Sequence, residues 1–167
     1  MIARRAARPG GSALALLPAM LGCAFVASAG GPAPAQELQP CDARSAAPGL
    51  SDFGRDDVRT FGDGNILVAR LDTGRPAFAP MRLLILSPPR DAEGRRQCRL
   101  VRLEDGLGFG QLYLSRAGAR YDPGRGLTAD VPGLILLEDG FSNPILVHVT
   151  INQQSGAIAL DMELGPE

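Results

Sequence analysis

Short apolar runs, separated by glycine or proline about every eight to twelve residues, make up most of this chain after residue 64. The 167 residues include 21 glycines and 14 prolines, and both residue types favour turns. Outside the N-terminal region, no helical period of useful length occurs, and residues 52–59 allow one helical turn at most. The pattern predicts an all-β fold, a small and mainly antiparallel β-sandwich or barrel of about seven to nine short strands.

The clearest predicted element is a hairpin at the C-terminal end. In residues 143–152 and 157–164, apolar side chains occupy every second position, which places them on one face of a strand. The tetrapeptide QQSG joins the two runs, and Gly156 supplies the left-handed conformation of the turn. Further strands are predicted at residues 65–74, 81–89, 97–105, 109–115, 119–122, 127–131 and 134–138.

Two of these strands have apolar side chains on both faces. Residues 81–89 fit a central strand that is covered on each side. In residues 97–105, Cys98 and Leu100 lie on one face, whereas Val101 and Leu103 lie on the other. This pattern predicts a bulge, or a strand that crosses between layers, near Cys98.

The first 35 residues have the features of an export signal. Arg4, Arg5 and Arg8 precede an apolar run at residues 12–21, and small residues follow. Small-x-small cleavage sites precede Gly30 and Gln36, and the second is favoured because the polar run QELQPCD begins there. The predicted parts are therefore a signal peptide (1–35), a loop-rich segment pinned by a disulfide (36–64) and a β domain (65–167).

Two alternatives for the N-terminal segment are open. Lipidation at Cys23 fits less well, because only Gly22 of the preceding residues suits a lipoprotein signal. An uncleaved anchor is long enough, since residues 12–29 approach the ~20 residues that span a bilayer, but Pro18 and Gly22 disfavour a spanning helix. We expect a periplasmic or extracellular protein with no stable membrane insertion after cleavage.

The charge of the exported part disfavours several partners. Three of the 17 basic residues and none of the 18 acidic residues precede Gln36, which leaves 14 against 18 and a formal charge of −4. Binding to nucleic acid depends on clustered positive charge. We therefore expect no nucleic-acid partner.

Two cysteines remain after cleavage, Cys41 and Cys98. In an oxidising compartment an isolated pair forms a disulfide, which would hold the N-terminal segment against a strand. Redox-active pairs have a shorter Cys-x-x-Cys spacing. One histidine and two distant cysteines do not make a zinc site, so no metal and no cofactor are predicted.

No catalytic residue is predicted either. His148 is the single histidine and is expected on the polar face of its strand, partly exposed, where a general base would need an orienting carboxylate and a nucleophile. No serine lies in a G-x-S-x-G elbow, and the acidic run at residues 51–65 does not match a calcium loop. That run is interpreted as a solvated loop with a turn at Asp63 and Gly64.

The segment RDAEGRRQCRLVR, residues 90–102, is a candidate anion-binding site. Arg90, Arg95 and Arg99 are the proposed ligands of a phosphate or carboxylate group. Strand parity places Arg95 and Arg99 on one face and puts Arg96 and Arg102 on the other. The acidic residues Asp91, Glu93 and Glu104 lie among them, so an ordinary solvated hairpin is the alternative interpretation.

The run SRAGARYD, residues 115–122, resembles a stretch in small secreted bacterial inhibitors of c-type lysozyme, which are disulfide-bearing β-barrels of the periplasm. The resemblance covers these eight residues. The Lys-Gly segment that accompanies the run in those inhibitors is replaced here by Gly124, Arg125 and Gly126. The resemblance therefore assigns no role to any residue.

Taken as a sequence, the chain is expected to be a secreted, non-enzymatic binding or accessory protein of the cell envelope, with an unidentified envelope component or protein as partner. The alternatives are a small protein inhibitor of an envelope-attacking enzyme and a hydrolase whose carboxylates meet only in the fold. A flat polar surface would favour the accessory protein, and a protruding ordered loop would favour the inhibitor. A deep pocket with converging carboxylates would favour the hydrolase.

Overall fold

Antiparallel β-structure makes up the part of the chain that the computed structural model describes, residues 36–41, 54–74, 79–103, 107–137 and 140–165. The predicted signal segment, with Cys23, lies outside the described residues, as do Asp52 and Glu104. The described part contains ten strands: β1 (Gln36–Pro40), β2 (Val58–Phe61), β3 (Ile66–Asp72), β4 (Met81–Arg90), β5 (Arg96–Leu103), β6 (Gln111–Leu112), β7 (Gly118–Asp122), β8 (Gly126–Leu136), β9 (Ser142–Ile151) and β10 (Ile158–Leu164).

These strands form two sheets of five strands each. The first sheet has the order β1-β5-β4-β3-β2, and the second has the order β10-β9-β8-β6, with β7 beside β6 on the same edge of β8. All pairs are antiparallel, and neither described sheet closes into a barrel. The predicted all-β class is confirmed, and the architecture is a sandwich.

The core lies between the sheets and consists of every second residue of the central strands. Ile66, Val68, Leu83, Ile85 and Val101 project from the first sheet, and the second contributes a matching set. Full burial of such a side chain contributes about 1.5–3 kcal/mol. The members from the strands of the second sheet are Leu112, Leu127, Ala129, Val131, Ile135, Ile145, Val147, Val149, Ile151 and Met162.

The outer face of the first sheet is apolar as well. Leu67, Ala69 and Leu84 form a second buried cluster there, against which Leu100 and the cysteine pair pack. The strands β3, β4 and β5 are therefore covered on both faces. This explains why their sequences carry apolar residues at odd and even positions.

An irregularity lies near Cys98, as predicted, but it is in β4 and not in β5 itself. The pairing of β4 with β5 is regular from Leu83 opposite Val101 to Ser87 opposite Gln97, and its register shifts only between Ser87 and Arg90. The mixed pattern of β5 reflects two buried faces and not a rotation of the strand.

The region predicted as loop-rich contains two strands that the sequence pattern did not reveal. β1 pairs with β5 and β2 pairs with β3, and both are edge strands whose side chains are mostly half buried or exposed. A 3₁₀ turn at Arg55–Asp57 precedes β2. Edge strands with one weakly buried face show little alternation, so ten strands form where about seven to nine were predicted.

The two strands predicted at 127–131 and 134–138 are one strand, β8. Pro132 lies at the point where the edge partner of β8 changes, because the first residue of β7 pairs with Asp130 and the last residue of β6 pairs with Gly133. The proline carbonyl accepts a hydrogen bond from the Tyr113 amide at 2.9 Å. Proline has no N–H to donate, and at this position the donor would lie between β6 and β7, where no described strand pairs with it. The proline therefore does not interrupt the strand.

Cys41 and Cys98 lie at disulfide distance, as the sequence predicted, with their Cα atoms 5.4 Å apart. The bond ties the end of β1 to β5 on the outer face of the first sheet. None of the described residues belongs to a helix that is long and apolar enough to cross a membrane.

Candidate functional site

The outer face of the second sheet is the more open side of the sandwich. Side chains that point outward from β8, β9 and β10 are mostly exposed or half buried, whereas their inward neighbours are mostly buried. We call five charged or titratable outward residues the polar row, and we call the outward apolar residues of β8 and β9 the apolar strip. The polar row is Arg120, Asp130, His148, Asp161 and Glu163; the apolar strip is Pro132, Leu134, Leu136, Pro144 and Leu146.

Register and parity assemble the polar row from four strands. His148 of β9 lies directly between Asp130 of β8 and Asp161 of β10. Arg120 of β7 is diagonal to Asp130, and Glu163 is two residues after Asp161 on the same face. Directly opposed or diagonal side chains in a sheet are close enough to interact.

Asp130 is the centre of the hydrogen bonding in the polar row. His148 Nδ1 lies 2.6 Å from Asp130 Oδ1, and the Arg120 guanidinium donates to Asp130 Oδ2. The His148 side chain is only 12 % exposed, less than the sequence led us to expect. Its Nε2 is buried 3.3 Å from Glu163 Oε1, but in a geometry that makes no hydrogen bond.

The environment favours the ionised form of Asp130. Burial opposes ionisation, but hydrogen bonds from His148 and Arg120 outweigh it and hold the pKa of Asp130 below its usual range. The polar row then carries three carboxylates and one guanidinium. It is therefore acidic when His148 is neutral.

The polar row supplies an oriented histidine but no activated nucleophile. The neighbouring hydroxyls of Thr128 and Thr150 lie 2.9 Å apart and bond to one another. Among the described residues, no hydroxyl or thiol hydrogen-bonds to His148, and no group of three or more His, Cys, Asp or Glu residues is placed to hold a metal ion.

Beside the apolar strip, the loop between β8 and β9 presents further apolar side chains. Phe141 is 72 % exposed, and Leu137 is also exposed. The backbone of the loop is closed by hydrogen bonds from the Leu137 amide to the Phe141 carbonyl and from the Gly140 amide to the Leu137 carbonyl. Large apolar groups thus remain in solvent at one end of the face.

The β7–β8 hairpin forms the other end of this face. All five residues of β7 are exposed, and Tyr121 is 67 % exposed. Asp122 Oδ1 accepts hydrogen bonds from the amides of Gly124 at 2.8 Å and Arg125 at 2.9 Å, which fixes the turn. The hairpin that carries the SRAGARYD run is therefore both exposed and ordered.

The arginines predicted to bind an anion have local partners. Arg95 donates to Asp91 at 2.8 Å and to Glu93 at 3.2 Å, and Arg90 donates to the Gly94 carbonyl at 2.7 Å. The backbone amide of Arg95 and its side chain hold the pKa of Asp91 below its usual range, although partial desolvation opposes this shift. An ionised carboxylate thus already occupies the loop.

The remaining arginines of that segment are separated as strand parity predicts. Arg99 donates to the Cys98 carbonyl at 2.9 Å, on the face opposite Arg96 and Arg102. Arg96 donates to the Gly64 carbonyl at 3.0 Å, and Arg102 pairs with Glu37 at 2.7 Å. Arg90, Arg95 and Arg99 thus bond to different local groups, and anion binding by them stays a prediction.

The acidic run, interpreted from the sequence as a solvated loop, contains a 3₁₀ turn and strand β2 in its described part. Asp57 pairs with Arg70 and accepts a hydrogen bond from the Gly54 amide at 3.2 Å. Asp63 and Gly64 have φ angles of 54° and 82°, as the predicted turn requires.

Sequence reasoning identified His148 but missed Asp130, its hydrogen-bond partner. Asp130 was placed inside a predicted strand, and its outward parity matches that of His148. The sequence therefore contained one signal for this contact, namely two outward titratable residues on consecutive strands. The register between those strands was unknown, so the contact itself could not be predicted.

Comparison of this chain with protein-family models, curated proteins and solved structures finds no match.

Proposed function

We propose that this chain is a non-enzymatic binding or accessory protein of the cell envelope and that it works in the periplasm or the extracellular space. The observation that carries the proposal is the outer face of the second sheet, where the polar row and the apolar strip lie side by side. Interfaces combine an apolar centre with a polar rim, and this face offers both apolar and polar side chains.

The proposed compartment is supported by two features of the chain. The first 35 residues have the pattern of an export signal, and the Cys41–Cys98 pair lies at disulfide distance. Disulfides persist in oxidising compartments and are rare in the cytosol.

The geometry around His148 supports a non-enzymatic role. One ring nitrogen bonds to Asp130, and the other is buried beside Glu163. A general base needs a ring nitrogen within hydrogen-bond reach of the proton that it removes. Here the buried nitrogen faces a carboxylate and not a substrate hydroxyl.

Site-specific photo-crosslinking in the native host tests the binding function. A photoreactive phenylalanine analogue replaces Phe141 beside the apolar strip, or Arg95 in the loop between β4 and β5 as the control. The Phe141 position should yield a defined crosslinked complex that the Arg95 position does not yield. Equal products at both positions, or none at either, would refute the proposal.

The β7–β8 hairpin favours a second candidate function, a small protein inhibitor of an envelope-attacking enzyme. The β7 arm of the hairpin is exposed along its whole length and carries Tyr121 near the tip, and the turn is held by its own hydrogen bonds. A preformed loop loses little conformational entropy when it enters a cleft.

For an inhibitor, the same crosslinker placed at Tyr121 should capture a wall-degrading enzyme. The purified protein should slow cell-wall lysis by that enzyme, and Tyr121→Ala should weaken the inhibition while Phe141→Ala leaves it unchanged. Crosslinking at Phe141 alone would assign binding to the sheet face and exclude the hairpin mechanism.

A further inference from the structure

We infer that the outer face of the second sheet docks a cationic protein surface, whose basic side chains meet the polar row and whose apolar side chains meet the apolar strip. This inference rests on the proposed binding function and adds the chemistry of the partner.

Two carboxylates of the polar row pair with no arginine among the described residues, and one of them, Glu163, lies 3.3 Å from the His148 imidazole. Arg120 pairs with Asp130, which leaves Asp161 and Glu163 two residues apart on β10. Both side chains are exposed, and no arginine among the described residues pairs with either of them. These carboxylates lie beside one another at an edge strand, where basic side chains of a partner can reach them.

The neighbouring apolar strip supplies the contact area that charge alone does not provide. Leu134, Leu136 and Leu146 point outward and are half buried, and Phe141 extends the apolar surface into the loop. Apolar burial contributes most of the affinity of such an interface, whereas complementary charge selects and orients the partner. The face therefore predicts a partner that is apolar at its centre and basic at one side.

The same charges disfavour the other occupants of this face. Pairing with a second copy would set each polar row against either the acidic row or the apolar strip of the other copy, and neither like charges nor apolar side chains satisfy its carboxylates. An anionic membrane surface attracts basic segments and would repel Asp161 and Glu163. A cationic protein is the occupant that satisfies both halves of the face.

A designed peptide serves as the probe for this chemistry. It is a disulfide-closed β-hairpin that carries leucines at one end of one face and arginines at the other end of that face. A matched peptide has glutamate in place of each arginine. Binding of each labelled peptide to the purified full chain is measured by fluorescence anisotropy at about 0.02 M and about 0.2 M salt.

The variants separate the polar row from general surface charge. Asp161→Asn combined with Glu163→Gln removes the two carboxylates that pair with no described arginine, and the control combines Asp56→Asn with Glu93→Gln. Glu163 and Glu93 are matched in exposure, at 68 % and 65 %. Circular dichroism verifies that both double variants are folded.

The arginine peptide should bind, more weakly at the higher salt, and the glutamate peptide should bind at least tenfold more weakly. The Asp161 and Glu163 double variant should lose about tenfold in affinity at low salt, because each exposed pair contributes up to about 1 kcal/mol. The control variant should stay within about twofold of the wild type.

Equal binding of the two peptides, or equal affinity of the two double variants, would overturn the inference. Crosslinking at Phe141 to a natural partner without a basic surface would also overturn it, while the binding function would stand. If no position on the face yields a complex in the host, the proposed function itself fails.

Discussion

Replacement of Asp130 by asparagine tests whether the polar row is an energetic unit. The substitution keeps the size of the side chain and its capacity to accept a hydrogen bond from His148, but removes the negative charge. Because His148 and Arg120 both donate to this carboxylate, the variant should be less stable than the wild type at neutral pH.

The magnitude follows from the burial of the two partners. The His148 side chain is nearly buried, and a hydrogen bond to an ionised group is about 1 kcal/mol stronger than a neutral one. Arg120 is largely exposed, so solvent screening reduces its ion pair to about 0.5 kcal/mol. Asp130→Asn should therefore lower the free energy of unfolding by about 1.5 kcal/mol, or the melting temperature by about 6 °C.

A matched control is available on the other side of the histidine. Asp161 lies opposite His148 on β10, as Asp130 does on β8, but has no salt bridge among the described residues. Urea unfolding of Asp130→Asn, Asp161→Asn, His148→Gln and the Asp130/His148 double variant gives the coupling energy directly. We expect about 1 kcal/mol for the Asp130–His148 pair and no measurable loss for Asp161→Asn.

The pH dependence provides a second readout for the same residue. Because the folded state lowers the pKa of Asp130, its stabilisation is present above the unfolded carboxyl pKa of about 4 and is lost as pH falls through the folded value. The difference between wild type and Asp130→Asn should therefore shrink in acid. A coupling energy near zero, or a difference that does not change with pH, would refute the reasoning.

Three further predictions concern the scaffold and its processing. Gln97→Met should lower the free energy of unfolding by about 2 kcal/mol. Gln97 Nε2 donates to Ser87 at 3.0 Å and to the carbonyls of Pro88 and Gly156 at 2.7 and 2.8 Å, and methionine makes none of these bonds. Equal denaturant midpoints for variant and wild type would contradict this prediction. Replacing both Cys41 and Cys98 by serine should cost about 4 kcal/mol of stability through loop-closure entropy; a loss below about 1 kcal/mol would show that the disulfide does not hold β1. Mass spectrometry of the exported protein should find Gln36 at the N-terminus, and a lipid on Cys23 would contradict the cleavage.

The sequence was informative wherever one face of a strand is buried and the other is not. In β9 and β10 the alternation of apolar and polar residues predicted the hairpin and the outward direction of His148. It was less informative in the first sheet, because β3 to β5 are buried on both faces. There the pattern of β5 suggested a bulge where the strand is regular.

Pairing between residues that are distant in sequence was outside the reach of the pattern. β1 forms because its residues meet β5, about 60 positions later, and nothing within QELQP itself demands a strand. The contact of Asp130 with His148 depends in the same way on the register of β8 against β9. A slip of one residue in either strand would turn its outward side chains to the core and its apolar side chains to solvent. The contact therefore exists only at the register that buries the apolar side chains.

The arginine segment shows that charge in the local sequence differs from charge that is left without a partner on the folded surface. Its charge is conspicuous in the sequence, but Asp91 and Glu93 lie within four residues of Arg95 and pair with it on folding. The carboxylates of β10 are inconspicuous, since DMEL is an ordinary alternating strand, yet β10 is an edge strand and no described arginine projects beside them. Unneutralised charge on the folded surface depends on which strands are neighbours and not on how many charged residues stand together in the chain. For this reason the outer face of the second sheet is the stronger candidate for partner binding, although the arginine segment carries more charge.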